Sequence, residues 1–313
     1  MLKREAAEPQ KSEMNKQKKS IQENTYIIEE IRDFDTAHIF DCGQCFRWYR
    51  QPDGSYTGIA GERIANIRFE PYEESTRLNR QTAIYGRLII ENCCEEDFEQ
   101  FWRHYLDLDR DYGKIKRTLS RGDATMRKAI RFGQGIRILN QDLWEVIISF
   151  IISQNNNIPR IRGCIEKLAE LLGEEAGEYQ GRIWYKLPDP YRLAEAEPAD
   201  LEPVRLGYRA RYLIETARMV CRNGLPSEKE ELAKLCGVGP KVAACISLFG
   251  MNGYNSFPVD VWVARVMHQL YNLDEKDKTA ISDFAERKFG CLGGFAQQYL
   301  FYYIRETQKG KKE

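Results

Sequence analysis

The segment LCGVGPKVAACISLF, residues 235 to 249, places a lysine at the start of an alanine-rich helix. Gly239 supplies a flexible entry and Pro240 suits the first helical position, so Lys241 falls in the first turn. The amino end of a helix is electropositive and repels a cation there. This repulsion, together with burial in a dry site, favours the neutral amine, which can act as a nucleophile. The alternative is that Lys241 contacts a phosphate.

A carboxylate follows nineteen residues after this lysine, in FPVDVWV. Asp260 precedes a helix predicted over 261–271 and suits its N-cap position, where the helix dipole stabilises the ionised form. Taken alone, Asp260 is only a cap. Because Lys241 is also present, we prefer to interpret Asp260 as a catalytic carboxylate. One aspartate can both cap the helix and take part in catalysis.

Asparagines interrupt the helical pattern in SQNNNIPRIRGCIEKLAELL, residues 153 to 172. Asparagine is suited to caps and to left-handed backbone, and Pro159 restarts the second helix. Taken alone, such a run is simply a helix cap. Its position between two apolar helices predicts a rigidly held loop.

Basic and aromatic residues alternate in LGYRARYLIETARMVCR, residues 206 to 222. Arginines can neutralise phosphates and tyrosines can stack on bases, so the segment is typical of a nucleic-acid surface. A solvated helix face is the alternative. The hairpin that follows offers three backbone amides that could hold a phosphate. The alternative is that it only connects two helices. These amides belong to Gly237, Val238 and Gly239.

Composition narrows the classes of protein. The 313 residues carry 47 basic and 47 acidic side chains, so any nucleic-acid affinity must come from a local patch. No segment reaches the roughly 18 uninterrupted apolar residues of a membrane span, which predicts a soluble protein. Nine cysteines without a secretory signal indicate reduced, intracellular thiols. Their spacing fits neither a zinc site nor an iron–sulfur cluster, and we expect no redox metal.

Periodicity divides the chain into three parts. Residues 1–24 are polar and charged, so we expect a disordered arm, either a solvated leader or a basic arm that touches DNA. Short strand-like runs follow from 25 to about 92, with PDG at 52–54 as a hairpin turn. Helical patterns fill the rest, including a buried helix at 143–152. The predicted fold class is α+β, with a small antiparallel sheet domain before a mostly helical domain.

These motifs resemble a known family. LCGVGPKVAACISLF with the aspartate of FPVDVWV is similar to the helix-hairpin-helix motif and Gly/Pro-rich loop of the DNA glycosylase superfamily. GQCFRW, SFIISQNNNIPRI and LGYRARY resemble its 8-oxoguanine DNA glycosylase branch. The resemblance implies an N-terminal sheet domain with flanking helices at 25–118 and a helical helix-hairpin-helix domain at 119–313, with DNA bound at their junction.

The resemblance also implies a bifunctional base-excision enzyme. Lys241 would attack the sugar C1′ of a flipped-out 8-oxoguanine nucleotide, leave a Schiff base and allow β-elimination. Asp260 would stabilise the positive charge that develops on the sugar. A monofunctional glycosylase for other damaged bases, in which water attacks, and a non-catalytic module that binds DNA damage are the alternatives.

By the same resemblance, DNA-binding residues lie in the asparagine loop and the basic segment. Asn155 would enter the space left by the flipped nucleotide, Tyr208 would wedge beside the opposite base, and Arg160 and Arg209 would donate to that base, a cytosine. The amides of the 237–239 hairpin would hold phosphate, and carbonyls around Leu235 and Val238 could bind a cation.

The resemblance places four residues on the damaged base. The Gly43 carbonyl would read the hydrogen on N7, although an ordinary turn glycine is the alternative. Cys245 and Phe301 would sandwich the base, and Gln297 would contact its pairing edge, although cysteine and phenylalanine are also common core residues. Trp262 departs from the family, where eukaryotic relatives usually carry histidine. We expect duplex DNA with 8-oxoguanine as the partner, no cofactor, no membrane contact, a monomer, and an intracellular location, the cytoplasm or nucleoid if the source is bacterial.

Overall fold

A five-stranded antiparallel sheet forms the N-terminal part of the protein. The computed structural model describes residues 25–73 and 84–309, so the predicted arm at 1–24 lies outside the described residues. The strand order is β1-β5-β4-β3-β2. The strands are β1 (Thr25–Arg32), β2 (Trp48–Arg50), β3 (Tyr56–Ala60), β4 (Arg63–Pro71) and β5 (Tyr85–Glu91).

The sheet forms where alternating aromatic and β-branched residues predict it. The turn at 52–54 is present: the Gln51 amide donates to the Ser55 carbonyl at 2.8 Å, and Gly54 has a φ of +87°. β2 is shorter than the predicted strand, because it begins at Trp48. Helical segments between residues 36 and 105 help to cover the sheet, and Trp48 and Trp102 are buried in that core.

Helices dominate the remaining chain, which confirms the predicted α+β class. Aspartate or asparagine caps several of them, and some helices have proline in the first turn. A π-helical turn spans Phe98–Trp102, and 3-10 turns span Glu202–Val204 and Gly290–Leu292. The described helices are α1 (Thr36–Phe40), α2 (Glu95–Asp97), α3 (Arg103–Tyr105), α4 (Tyr112–Ser120), α5 (Ala124–Phe132), α6 (Leu143–Ser153), α7 (Ile158–Leu172), α8 (Pro190–Glu195), α9 (Arg209–Asn223), α10 (Lys229–Leu232), α11 (Pro240–Gly250), α12 (Val261–Tyr271), α13 (Lys278–Phe289) and α14 (Gly293–Lys309).

The expectation of helices alone after the sheet is wrong at one place. A two-stranded hairpin forms from β6 (Glu175–Tyr179) and β7 (Arg182–Tyr185). Its turn residues Gln180 and Gly181 have φ angles of +51° and +74°, the left-handed geometry that suits a two-residue hairpin loop. The hairpin buries Tyr179 and Trp184 against Ile59 and Ile64 of the large sheet and so links the two parts of the molecule.

The largest core cluster lies among the helices. It buries α6 almost completely, as predicted, and reaches back to Cys42 and Phe46 in the N-terminal part. Residues on both sides of position 118 share this cluster, and the domain division at 118/119 stays a prediction. None of the helices in the described ranges is long and apolar enough to cross a membrane.

Buried charges also join the sheet to the helices. Glu166 of α7 accepts from Arg47 at 2.9 Å and from Arg182 at 2.6 Å. Glu145 of α6 lies in a small cavity that is also lined by Arg47, Trp48 and Tyr105. Burial raises the pKa of Glu145 to about 7, although Arg47 opposes that shift. The carboxyl is therefore protonated more readily in the folded protein than in the unfolded chain.

Substituting Glu145 with glutamine should flatten the dependence of stability on pH. The pKa of Glu145 is higher in the folded protein than in the unfolded chain. The contribution of its protonated carboxyl to the free energy of unfolding is therefore complete below about pH 4.5 and is lost as pH rises through about 7. Between pH 5 and 8 the free energy of unfolding of the wild type should fall by on the order of 3 kcal/mol more than that of Glu145→Gln. Thermal unfolding across this range measures it. Glu170→Gln, at an exposed position of α7, is the control, and parallel wild-type and Glu145→Gln profiles would contradict the assignment.

Candidate active site and nucleic-acid interface

Lys241 lies in the first turn of α11, as predicted. Gly239 is the N-cap and Pro240 the first helical residue. The Lys241 side chain is half-buried, with its Nζ 5.8 Å from the centroid of the Phe150 ring. Within the described residues, no carboxylate oxygen lies within 4.0 Å of this Nζ. No residue in the described ranges therefore holds the Lys241 side chain in an ion pair.

Asp260 is the N-cap of α12, also as predicted. Its Oδ1 accepts a hydrogen bond from the Val263 amide at 2.8 Å, so the carboxylate lies at the positive end of the helix dipole. The next two side chains, Val261 and Trp262, are 57% and 41% exposed. Asp260 is only half-buried, and one of its neighbours is Cys245.

The lysine and the aspartate both act on the buried thiol of Cys245. Burial raises the pKa of Cys245, the nearby Lys241 ammonium lowers it, and the Asp260 carboxylate raises it. Lys241 and Cys245 are four residues apart on α11 and therefore share a face. Both charged groups thus act on the same sulfur, as expected for an amine and a carboxylate at one site.

A second group of predicted residues surrounds Gly43, in the loop between α1 and β2. Gly43 has a φ of +88°, and a Cβ there would lie 3.4 Å from Cε1 of Phe301 on α14. Gln297 lies one turn earlier on α14 and is 6% exposed, and its Oε1 has no hydrogen-bond partner among the described residues. The structure thus places Gly43 against Phe301, whereas Cys245 lies with Lys241 and Asp260. Helix α12, which Asp260 caps, packs against α14, which carries Gln297 and Phe301.

Two loops bring the predicted DNA-contacting residues together. Asn155 follows α6 with a φ of +46°, and its Nδ2 donates to the Tyr208 Oη at 3.3 Å. Arg160, at the start of α7, donates to the Arg205 carbonyl at 3.2 Å. The side chains of Asn155, Tyr208 and Arg160 are exposed. They form a polar surface with one aromatic ring.

Arg209 has a different environment from Arg160. It is 5% exposed, and its Nε donates to the Gln154 carbonyl at 2.9 Å. Its Nη atoms donate to the carbonyls of Asn155 at 3.1 Å and Leu206 at 3.2 Å. The guanidinium therefore fixes the loop after α6 to the loop before α9.

The glycine hairpin before α11 is closely packed. Gly237 has a φ of +76°, and a Cβ there would lie only 2.3 Å from Cδ2 of Tyr212, so the position requires glycine. The Val238 amide already donates to the Leu235 carbonyl at 3.1 Å. The amides of Gly237 and Gly239 donate to no other described residue. These two amides are the hairpin's candidates for a phosphate.

In the residues that the structure describes, no three histidine, cysteine or acidic side chains are grouped so that they could hold a metal ion. The cation site at the carbonyls of Leu235 and Val238 stays a prediction.

Sequence reasoning missed two residues beside the candidate site. The Phe150 ring lies near Lys241 but is separated from it by 91 positions in the sequence, so no local pattern points to it. Arg305 lies on α14, with its Cζ 5.3 Å from the centroid of the Phe301 ring. The only sequence signal for Arg305 is its spacing of four residues from Phe301.

Comparisons with known proteins identify the family of the chain. The family model of the 8-oxoguanine DNA glycosylase N-terminal domain matches residues 26–147. The family model of HhH-GPD superfamily base excision DNA repair proteins matches residues 148–290. The curated N-glycosylase/DNA lyase of Arabidopsis thaliana is 28% identical over 297 residues, which cover 86% of this chain and 77% of that protein.

Solved structures are similar over almost the whole chain. The apo form of the 8-oxoguanine glycosylase/lyase of Clostridium acetobutylicum is 43% identical, with a TM-score of 0.81 over 90% of this chain and 98% of that one. The complex of that glycosylase/lyase with double-stranded DNA containing cytosine opposite 8-oxoguanine has the same TM-score of 0.81 at 42% identity, over 92% of this chain and 98% of that one. With both family models matched in order and this identity over nearly full length, the chain belongs to the 8-oxoguanine DNA glycosylase family of the HhH-GPD superfamily.

Proposed function

We propose that this protein removes 8-oxoguanine from duplex DNA and cleaves the strand at the resulting site, as a bifunctional N-glycosylase and AP lyase. The observation that supports this most directly is the placement of Lys241 in the first turn of α11 and of Asp260 at the N-cap of α12, where both act on the buried thiol of Cys245. The activity belongs to base excision repair. The lyase step requires an amine, and a monofunctional enzyme would not need Lys241.

The reaction begins at C1′ of the flipped nucleotide. The neutral Lys241 amine forms a bond from Nζ to C1′, the C1′–N9 bond breaks, and its electron pair leaves with the base, which takes up a proton. The sugar ring then opens to a protonated Schiff base. Loss of a proton from C2′ and departure of the 3′ phosphate complete β-elimination. Asp260, held at the N-cap of α12 by its bond to the Val263 amide, stabilises the positive charge on the sugar.

The enzyme can reach the sugar only when the damaged nucleotide leaves the stacked bases of the DNA duplex, and this unstacking costs a few kcal/mol. Asn155 fills the vacated space, and Tyr208 wedges beside the opposite base. Arg160 is exposed and can donate to the estranged cytosine. Arg209 would have to release a loop carbonyl to make a similar contact, since its donors are engaged with Gln154, Asn155 and Leu206. The amides of Gly237 and Gly239, with Val238 between them, bind backbone phosphate.

Recognition of the lesion depends on one hydrogen atom. Oxidation at C8 places a hydrogen on N7, and the Gly43 carbonyl accepts from it. Phe301 and Cys245 stack on the two faces of the base, and the Gln297 amide contacts its pairing edge. The unpartnered Oε1 of Gln297 supports this role, because a buried acceptor is normally hydrogen-bonded.

Replacing Gly43 with alanine should strongly impair excision of 8-oxoguanine. The φ of +88° disfavours a side chain, and the new Cβ would lie 3.2 Å from the Arg305 Nη1 and 3.4 Å from Phe301. We expect the rate of base release to fall about 10- to 100-fold, as for the loss of one well-placed hydrogen bond. Single-turnover assays measure this. Gly54→Ala, at a φ of +87° with open space around it, controls for backbone strain, and equal rates in both variants would contradict the role of Gly43.

The proposed partner is double-stranded DNA with 8-oxoguanine, bound by a monomer in an intracellular compartment. The exposed polar surface of Asn155, Arg160 and Tyr208 supports the DNA partner. Sedimentation with and without duplex tests the monomer.

Borohydride trapping on the wild-type protein tests the proposed activity. The protein is incubated with a duplex that carries 8-oxoguanine opposite cytosine, and sodium borohydride reduces any Schiff base to a stable adduct. A covalent adduct with strand cleavage is the expected result. Release of free base without an adduct would indicate a monofunctional enzyme. Binding without base release would indicate a non-catalytic damage-binding module.

A further inference from the structure

Arg305 occupies a largely buried position on the face of α14 that carries Gln297 and Phe301. The three residues are spaced by four positions, so they follow one another along the helix. The Arg305 side chain is 11% exposed, and its Nε donates to Glu306 at 2.8 Å. Its Nη2 donates to the backbone carbonyl of Asp41, two residues before Gly43.

The guanidinium lies against both elements that would read the damaged base. Its Cζ is 5.3 Å from the centroid of the Phe301 ring, within the range of a cation–π contact. Its Nη1 lies 3.2 Å from the position that a Cβ of Gly43 would occupy. Arg305 thus contacts the stacking ring and the Gly43 turn at once. The turn is also tied to α14 by the Gln298 Nε2, which donates to the Cys42 sulfur at 3.3 Å.

One buried donor of Arg305, Nη1, has no hydrogen-bond partner among the residues that the structure describes. Other arginines in the described ranges, including Arg47, also have a buried nitrogen without a partner. Arg305 differs from them in its position between the Gly43 turn and the Phe301 ring.

We propose that Arg305 is a positioning residue that sets the specificity for the oxidised purine. By holding the Asp41 carbonyl while it covers the Phe301 ring, it fixes the distance between the Gly43 carbonyl and the plane of the stacked base. An N–H···O hydrogen bond requires about 2.7 to 3.2 Å between heavy atoms, so a small shift of the turn removes the contact to N7. The inference rests on the proposed function.

Binding to three duplexes tests this role. In a Lys241→Gln background, which prevents turnover, affinity is measured for duplexes with 8-oxoguanine, with guanine and with a tetrahydrofuran abasic analogue, each opposite cytosine. Arg305→Met retains an unbranched apolar side chain over Phe301 but loses the tether to Asp41. We expect affinity for the 8-oxoguanine duplex to fall about 10- to 100-fold. Affinity for the other two duplexes should stay within about twofold, because neither has an oxidised base for Gly43 to read.

Two further variants complete the test. Arg305→Lys keeps a cation near the ring but lacks the planar fork, so it should restore only part of the loss, and it also serves if Arg305→Met does not fold. Arg32→Met, at an arginine that is 73% exposed on β1, should change none of the three affinities. An equal loss on all three duplexes, or no loss on the 8-oxoguanine duplex, would overturn the role of Arg305. A parent protein that binds 8-oxoguanine and guanine equally would instead contradict the proposed function.

Discussion

Lys241→Gln will eliminate the borohydride-trapped adduct and lower the rate of 8-oxoguanine release by on the order of 10⁴-fold or more. Glutamine has nearly the shape of the lysine stem but no nucleophilic amine, so neither the bond to C1′ nor the Schiff base can form. Stability should hardly change, because within the described residues Lys241 has no carboxylate within 4.0 Å. Trapping on a duplex with 8-oxoguanine opposite cytosine, with single-turnover kinetics, provides the measurement.

Lys234→Gln is a suitable control, because Lys234 is exposed and precedes the hairpin before α11. It should leave the adduct yield and the rate as in the wild type. Persistence of the adduct in Lys241→Gln would assign the nucleophile to another amine. Loss of the adduct in both variants would instead indicate a general effect of lysine removal on DNA binding.

Asp260→Asn should retain folding and DNA binding but lower base release about 10²- to 10³-fold. Asparagine caps a helix about as well as aspartate, so the hydrogen bond to the Val263 amide can be kept. The variant removes only the negative charge that would face the developing positive charge on the sugar. Thermal unfolding, duplex affinity and single-turnover rates separate these three effects.

A matched cap elsewhere in the chain strengthens this test. Asp277 is the N-cap of α13 and accepts from the Ala280 amide at 2.9 Å, the same arrangement as at Asp260. Asp277→Asn should therefore leave the rate unchanged. If Asp260→Asn were as active as Asp277→Asn, Asp260 would be a cap and nothing more.

Local rules made the central part of the site predictable. Gly239 and Pro240 specify a helix start, and an aspartate before an apolar helical run specifies a cap, so the positions of Lys241 and Asp260 follow from a few neighbouring residues. The buried helix α6 and the sheet follow in the same way from apolar periodicity. The assignment of roles came from the resemblance to a family, and those roles stay predictions.

Contacts between distant segments were not predictable. The β6–β7 hairpin depends on Ile59 and Ile64, more than 100 residues away, whose burial makes a short strand pair favourable within a helical region. The sequence predicts Arg209 as a contact to phosphate or to the opposite base, or as part of a solvated helix face. No local pattern shows that the carbonyls of Gln154 and Asn155 accept from it. Arg305 was missed for the same reason, since its carbonyl partner at Asp41 is 264 positions away.

The anchoring of two loops by Arg209 also bears on how quickly undamaged DNA can be inspected. Ordering a flexible side chain at an interface costs about 0.5 to 1.5 kcal/mol, and ordering whole loops costs more. The Arg209 guanidinium already joins the loops that carry Asn155 and Tyr208. The conformational entropy of these loops is therefore lost once, during folding, and not again at each binding event. Each encounter with a new base pair can then proceed without a repeated ordering step, which suits an enzyme that must sample many sites for every lesion.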